Sequence, residues 1–229
     1  MAPTSPPTVA AARRAVHEAC QRMVADGLVI GSAGNVSVRL DERRFVVSAG
    51  GVAYDQLQPD DHPIVDAESG EWDGRRPPTS ELALHRRVMA AMPEVAAVVH
   101  THSRYAAAFA VARQPLPFIC NESLAARAEQ VLVTDYAPPG SGDLGDHALA
   151  TLRAQPGSRA VLLANHGVVA LGPTLAEAET VARAVEWTAE ICHHARTLLA
   201  AGAGEHVLDE AVQQAIARNY GVPLWRSRP

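Results

Sequence analysis

The stretch Ala96-Ala97-Val98-Val99-His100-Thr101-His102 combines a short apolar run with two histidines one residue apart. The apolar run predicts a buried strand. In an extended backbone, residues i and i+2 point to the same side, so both imidazoles would face one point at the end of that strand. Two neutral imidazoles on one face are suitable ligands for a divalent transition metal. Because a His-x-His pair is common in proteins, the metal prediction depends on its surroundings.

Two further stretches carry residues that would complete such a site. Upstream, Pro78-Thr79-Ser80-Glu81 opens a helical pattern of apolar residues, and downstream an apolar strand at 160–163 leads into Asn165-His166-Gly167. Taken alone, the first indicates a capped helix with an acidic first turn, and the second a structural histidine in a turn. Together, three histidines and a nearby carboxylate are typical of a catalytic metal site that keeps one coordination position for substrate.

The order of four motifs shows which family the chain resembles. Gly34-Asn35-Val36-Ser37, Ser80-Glu81, His100-Thr101-His102 and Asn165-His166-Gly167 follow one another as they do in the class II aldolase/adducin family. The resemblance covers residues 10–222, nearly the whole chain. It implies a single three-layer α/β domain, with a mostly antiparallel central β-sheet flanked by helices. It also implies a metal-dependent lyase of the aldolase type, which cleaves a carbon–carbon bond.

The resemblance assigns roles to individual residues. His100, His102 and His166 would bind the metal, which we expect to be Zn²⁺, with Mn²⁺, Co²⁺ or Fe²⁺ as alternatives. Glu81 would be the catalytic acid/base, and Tyr220 a proton donor that reaches the active site of a neighbouring subunit in a homotetramer. The residues expected to bind the substrate or its phosphate are Ser32, Gly34, Asn35, Gly51, Thr79 and Ser80.

Two positions depart from the pattern of the fuculose-phosphate aldolases in this family. Gly50 stands where a hydroxyl residue that contacts phosphate is expected, and Asn121 where a tyrosine is expected. Losing one donor would weaken phosphate binding without abolishing it, because a phosphate receives several charge-assisted hydrogen bonds. We therefore expect a small anionic substrate, phosphate or carboxylate, that differs from fuculose phosphate.

Aldol cleavage by a class II enzyme explains why these residue types are needed. The reaction forms an enediolate, and a divalent metal stabilises its charge as a Lewis acid. Three neutral imidazoles leave the metal its full charge, and Glu81 would take or deliver the proton. The same residues would serve a decarboxylase or an epimerase, which remain alternatives. A non-catalytic, adducin-like binding module is a third hypothesis, and the presence of all three histidines and Glu81 disfavours it.

Composition and charge exclude several other functions. A length of 229 residues, with 48% hydrophobic and 4% aromatic residues, favours one helix-rich α/β domain. A net charge of −5, with no Lys/Arg run longer than two, disfavours nucleic acid and anionic membrane surfaces as partners. The sequence has no apolar stretch near the roughly twenty residues of a membrane span. Three scattered cysteines without CxxC spacing fit a reducing cytoplasm.

Hydrophobic periodicity predicts the secondary structure. We expect helices at 9–28, from Glu81 onward, and at 103–111, 144–152, 175–199 and 207–216, with Thr79 and Ser80 as candidate caps. We expect strands at 34–39, 44–48, 62–65, 96–100, 118–121, 130–134, 160–164 and 167–171. Residues 1–8 are predicted to be a loose tail and 9–229 the domain. His85 would share the helix face of Glu81, and a structural role is favoured over a partnership with the site.

Overall fold

The strand that carries His100 lies in the middle of a large sheet. In the computed structural model, residues 7–199 and 206–223 are described. Within these ranges the helices are α1 (Val9–Ala25), α2 (Leu82–Ala91), α3 (Arg104–Ala112), α4 (Gly142–Ala154), α5 (Leu175–Leu198) and α6 (Glu210–Asn219). The strands are β1 (Asn35–Arg39), β2 (Arg44–Val47), β3 (Ile64–Asp66), β4 (Trp72–Asp73), β5 (Ala97–Thr101), β6 (Leu116–Pro117), β7 (Gln130–Val131), β8 (Ala160–Leu163) and β9 (Gly167–Gly172).

The main sheet has seven strands in the order β4-β3-β2-β1-β5-β9-β8, and every neighbouring pair is antiparallel. β5 pairs with β1 on one side and β9 on the other, so it is paired along both edges. In this register Asn35 lies opposite His100 across β1 and β5. The sheet therefore brings the first sequence motif beside the third.

Helices cover both faces of this sheet. Alternate residues of β5 belong to different cores: Val99 packs with α1, α3 and α5, whereas Val98 packs with α2 and α4. Both valines are fully buried. The predicted three-layer α/β domain with an antiparallel central sheet is confirmed.

Short elements account for most differences from the predicted secondary structure. β4 was not predicted, because its two residues are exposed at the sheet edge and show no apolar pattern. The strand predicted at 130–134 is a regular strand only at Gln130–Val131, which pairs with β6 outside the main sheet. Val133 forms an isolated parallel bridge with Leu162 of β8. The strand predicted at 118–121 is wrong, since Asn121–Ala126 form a 3₁₀ helix that packs against α5 and α6.

The chain ends match the prediction only in part. α1 begins at Val9, where the hydroxyl of Thr8 accepts a hydrogen bond from the backbone N–H of Ala11. Most of the predicted tail, residues 1–8, lies outside the described residues, and so do residues 224–229 of the predicted domain. The bounds of the predicted domain, 9–229, therefore stay a prediction. In the part of the chain that the structure describes, no helix is both long and apolar enough to cross a membrane.

Two glycines allow loops to approach the end of β5 closely. Gly34 has a φ of 76°, and a Cβ there would lie 2.6 Å from the carbonyl oxygen of His100. A Cβ at Gly50 would lie 2.8 Å from the carbonyl oxygen of Pro78. The backbone also pairs here, because the N–H of Thr79 donates to the carbonyl oxygen of Ser48. The sheet, the loop before β1 and the segment before α2 therefore meet at one place.

Candidate active site and metal centre

Four residues from three separate parts of the fold converge at this place. His100 is in β5 and His102 follows that strand directly, while His166 lies in the turn between β8 and β9. Glu81 is the N-cap residue of α2. One ligand atom from each of the four residues lies within 4.8 Å of all the others, so the group could hold a metal ion.

The three imidazole rings surround a common point. Their centroids are 4.7 to 4.8 Å apart and each pair of rings meets edge to face. Nε2 of His100 is 3.0 Å from Nε2 of His102. The two oxygens of Glu81 lie 3.0 Å from Nε2 of His100 and 3.2 Å from Nε2 of His166. Zn–N bonds of about 2.0–2.1 Å in a tetrahedron imply ligand–ligand distances of roughly 3.3 Å, close to those found here.

The hydrogen bond on the far side of His100 shows what the cluster requires. Nδ1 of His100 donates to the carbonyl oxygen of Val168 at 2.8 Å. In the neutral ring, Nε2 then presents a lone pair to His102 and to the carboxylate of Glu81. Lone pairs and a carboxylate at such short distances repel one another unless a cation lies among them. The donor set therefore fits a divalent metal ion.

The pKa values of the cluster agree with this requirement for positive charge. Burial raises the pKa of Glu81, but His100, His166 and a hydrogen bond from Asn35 lower it by more, so the carboxylate is ionised at neutral pH. Burial, followed by the charge of His100, lowers the pKa of His102 and of His166 to about 4. Burial also lowers the pKa of His100, but Glu81 outweighs it and the net shift is upward.

The start of α2 leaves the side chain of Glu81 available to the cluster. Thr79 and Ser80 were predicted as caps, but the N-cap position belongs to Glu81, whose side chain makes no capping hydrogen bond. The hydroxyl of Thr79 instead accepts a hydrogen bond from the backbone N–H of Glu81 at 3.3 Å. Only 5% of Glu81 is exposed, so its carboxylate is held away from bulk water.

Asn35 contacts the cluster in a way that sequence reasoning missed. The phosphate-binding role of Asn35 stays a prediction. In the structure its side-chain Nδ2 donates to Oε2 of Glu81 at 2.8 Å. Its Oδ1 faces Nε2 of His85, and the residue is only 2% exposed. The sequence could have indicated this contact only through the pairing of Asn35 with His100, and that pairing follows only once the strand order of the sheet is known.

The other predicted phosphate-binding residues lie on the loops around the cluster. Ser32 and Gly51 are exposed on the loop before β1 and the turn after β2, and Ser80 is exposed immediately before Glu81. Thr79 is nearly buried. Tyr54, for which no role was predicted, donates its hydroxyl hydrogen to the carbonyl oxygen of Gly34 at 2.5 Å and so stabilises the loop before β1. No sequence pattern around Tyr54 indicated this contact.

Tyr220 lies apart from the four-residue cluster. It follows the last residue of α6, is 64% exposed, and borders a surface groove together with Asn121 and Glu122. In the described residues, no contact joins Tyr220 to Glu81 of the same chain. Its predicted role in a neighbouring subunit is not tested by a single chain and stays a prediction.

Comparison with known proteins adds the decisive observation. Residues 14–193 match the family described as Class II Aldolase and Adducin N-terminal domain, and this stretch contains the whole cluster. The chain belongs to this family. The match to the class II aldolase and adducin family spans the three histidines of the predicted metal site and the predicted acid/base Glu81.

Two curated relatives and one solved structure show which members of the family the chain is similar to. The chain is 38% identical to a 5-methylthioribulose-1-phosphate/5-deoxyribulose-1-phosphate aldolase of Rhodospirillum rubrum, over 79% of each chain. It is 32% identical to a 5-deoxy-D-ribulose 1-phosphate aldolase of Bacillus thuringiensis, over 78% of this chain and 82% of the relative. The structure of an L-fuculose 1-phosphate aldolase superposes with a TM-score of 0.85 at 26% identity, covering 96% and 100% of the two chains. The family match, these aldolases and the cluster together support a metal-dependent aldolase.

Proposed function

We propose that this protein is a class II aldolase that cleaves a short ketose 1-phosphate whose terminal carbon carries no hydroxyl group. The cluster of three histidines with Glu81 is the observation that carries the proposal. The substrate class is supported by two relatives that are named for 5-deoxyribulose 1-phosphate or its methylthio analogue. Gly50 and Asn121, which depart from the fuculose-phosphate pattern, support a substrate other than fuculose phosphate.

Zn²⁺ is the proposed metal, held by His100, His102 and His166, with Glu81 beside it. Three imidazoles and one carboxylate are donors that zinc commonly uses in proteins. When bound, a divalent ion supplies Lewis-acid stabilisation of the negative charge that develops during cleavage. Mn²⁺, Co²⁺ and Fe²⁺ accept the same donors and are the alternatives to be compared.

Glu81 is the proposed proton-transfer group. Cleavage of a 2-ketose breaks the bond between carbons 3 and 4. The hydroxyl group on carbon 4 loses its proton as it becomes the aldehyde, and the electron pair left on carbon 3 must then receive a proton. Oε1 of Glu81 is buried and, among the described residues, has no hydrogen-bond donor assigned to it. It lies 3.2 Å from Nε2 of His166. Because the carboxylate is ionised, Glu81 would first take up a proton released in the cleavage and then deliver it to carbon 3 through this oxygen.

The loops around the cluster are proposed to hold the phosphate. Ser32, Gly51 and Ser80 offer exposed hydroxyl or backbone N–H groups, and Thr79 lies between Ser80 and the sheet. Phosphate oxygens accept several such bonds at once, and backbone N–H groups in glycine-rich loops are common donors. The phosphate would thereby fix the sugar at a set distance from Glu81.

The test of this proposal is a comparison of four substrates with the zinc-loaded protein. The panel contains 5-deoxyribulose 1-phosphate, fuculose 1-phosphate, unphosphorylated 5-deoxyribulose and a carboxylate counterpart of the ketose. We expect dihydroxyacetone phosphate and an aldehyde from the first compound. Removing the phosphate should lower kcat/KM by more than about 100-fold, since each charge-assisted hydrogen bond contributes about 1.5–3 kcal/mol. Turnover confined to unphosphorylated sugar, or release of carbon dioxide as the main product, would contradict the proposal.

A homotetramer in the cytoplasm, with active sites at subunit contacts, completes the proposal. α5 exposes Trp187, Ile191 and Leu198 at helical spacing, an apolar stripe suited to contact another subunit. The exposed position of Tyr220 supports a role across such a contact. Cys20 and Cys120 are free thiols, which supports a reducing compartment.

Tyr220→Phe should lower turnover by about 10-fold or more without changing metal content, because proposed proton donors typically contribute about 10²–10⁴-fold. The measurement is kcat beside the metal content per chain. Mixing Tyr220→Phe with Glu81→Gln subunits should then restore part of the activity, since hybrid tetramers contain sites in which both groups are intact. Unchanged kcat in Tyr220→Phe, or no recovery on mixing subunits that do exchange, would contradict a role in the neighbouring site.

A further inference from the structure

Three successive hydrogen bonds connect Glu81 to Ser37 through Asn35 and His85, a buried histidine that the proposed mechanism does not use. The Oγ of Ser37 is 2.7 Å from Nδ1 of His85, and Nε2 of His85 is 2.5 Å from Oδ1 of Asn35. Nδ2 of Asn35 donates to Oε2 of Glu81 at 2.8 Å. Of these residues, Ser37 and His85 are completely buried.

The direction of each bond follows from the carboxylate at the end. An ionised carboxylate only accepts, so the group of Asn35 that faces Glu81 is its NH₂ and the group that faces His85 is its carbonyl oxygen. Nε2 of His85 must then carry the hydrogen, and Nδ1 accepts from the hydroxyl of Ser37. Burial lowers the pKa of His85 to about 3, which agrees with the neutral ring that this assignment requires.

This arrangement allows only one orientation of the Asn35 amide. A rotated amide would place its oxygen against the oxygen of Glu81, and that contact would be repulsive. The carboxylate therefore selects the orientation in which Asn35 donates to Oε2 of Glu81, and the N–H of His85 holds the amide there by donating to its oxygen. Oε1 is left as the oxygen that faces His166.

We propose that His85 is a positioning residue that, through Asn35, holds Oε2 of Glu81 and so presents Oε1 for proton transfer. The inference rests on the proposed acid/base role of Glu81. The backbone of α2 does not by itself fix this carboxylate, because Glu81 is the N-cap residue and its side chain makes no capping bond. The rigid connection from Ser37 in β1 supplies the fixed orientation that proton transfer needs.

The decisive experiment compares His85→Gln with His85→Asn in the zinc-loaded protein. A glutamine amide reaches the position of Nε2 and can donate to Asn35, whereas an asparagine amide reaches only the position of Nδ1. His85→Asn should lower kcat by about 10- to 100-fold with KM and metal content little changed, because misplacing a reacting group by about 1 Å costs up to 10²-fold. His85→Gln should stay within about 5-fold of the native kcat, with the thermal midpoint recorded for both variants.

A second measurement does not depend on turnover. The chain has four asparagines, so labelling with ¹⁵N-asparagine gives four side-chain NH₂ groups in the native protein and in His85→Gln, and five in His85→Asn. The Asn35 NH₂ signal should exchange slowly with solvent in the native protein and in His85→Gln, and rapidly in His85→Asn. Unchanged Asn35 protection in a folded His85→Asn variant, or equal kcat in both variants, would overturn the proposal. An absence of turnover in the native protein would instead count against the proposed function and leave the amide measurement decisive for His85.

Ser37→Ala provides an independent variant should His85→Asn fail to fold. It removes the hydroxyl that donates to Nδ1 of His85 and holds the ring, while His85 and Asn35 themselves are unchanged. We expect a several-fold loss of kcat, an unchanged KM and faster exchange of the Asn35 amide. Native kcat together with native Asn35 protection in this variant would equally overturn the proposal.

Discussion

Replacement of His166 by alanine is expected to weaken metal binding by at least about 100-fold and to reduce turnover in proportion, while the chain still folds. Even partners that only orient a metal ligand contribute about 10–100-fold to affinity, and the loss of a ligand should exceed that. His166 lies in the turn between β8 and β9 and belongs to neither large hydrophobic core, so its removal leaves the packing intact. Elemental analysis of the purified variant, together with its thermal midpoint, measures both effects.

His193→Ala is the matched control for this replacement. His193 is an exposed histidine on α5, outside the four-residue cluster. It should keep the native metal content, close to one ion per chain, and native activity. A His166→Ala protein that retains stoichiometric metal after dialysis would refute the proposed site.

The second large effect is expected for Glu81→Gln, which should lower kcat by about 10²–10⁴-fold while metal remains bound through the three histidines. Glutamine preserves the size of the side chain and an oxygen that can accept from Asn35, but it cannot transfer a proton at neutral pH. Single-turnover kinetics with 5-deoxyribulose 1-phosphate, combined with metal analysis of the same sample, separates lost chemistry from lost metal.

Glu42→Gln is a suitable control, because Glu42 is exposed and makes no contact with the cluster. It should retain native kcat and native metal content. A Glu81→Gln enzyme with native kcat would end the proposed acid/base role.

The relative position of His100 and His102, two of the proposed metal ligands, was predictable because it follows from backbone alternation. His100 and His102 face the same side since they are two residues apart at the end of an extended strand, and any strand would place them so. The apolar runs that lead to His100 and His166 also indicated two buried strands correctly. That Glu81 approaches both histidines depended on the family resemblance, because spacing along the chain does not give distances between separate elements.

The hydrogen bonds around Glu81 could not be predicted from the sequence. The contact of Asn35 with His85 requires the pairing of β1 with β5, the packing of α2 across that sheet, and one amide rotamer among several. Each of these depends on tertiary structure. The dependence on tertiary structure also explains why the strand predictions at 118–121 and 130–134 differ from the structure. These apolar runs are too short to show a helical or strand periodicity, so neighbouring elements determine their conformation.

The close approach of Gly50 to the backbone of Pro78 limits which substitutions at position 50 could change the substrate range, in engineering or in evolution. A hydroxyl residue cannot be grafted there by one substitution, since its Cβ would press on the carbonyl oxygen of Pro78 and on Cα of Thr79. The segment that leads into α2 would have to shift, and Glu81 lies two residues beyond Thr79. Acquisition of a fuculose-type phosphate contact is therefore linked to the position of the acid/base, and both segments would need to be exchanged together as one unit.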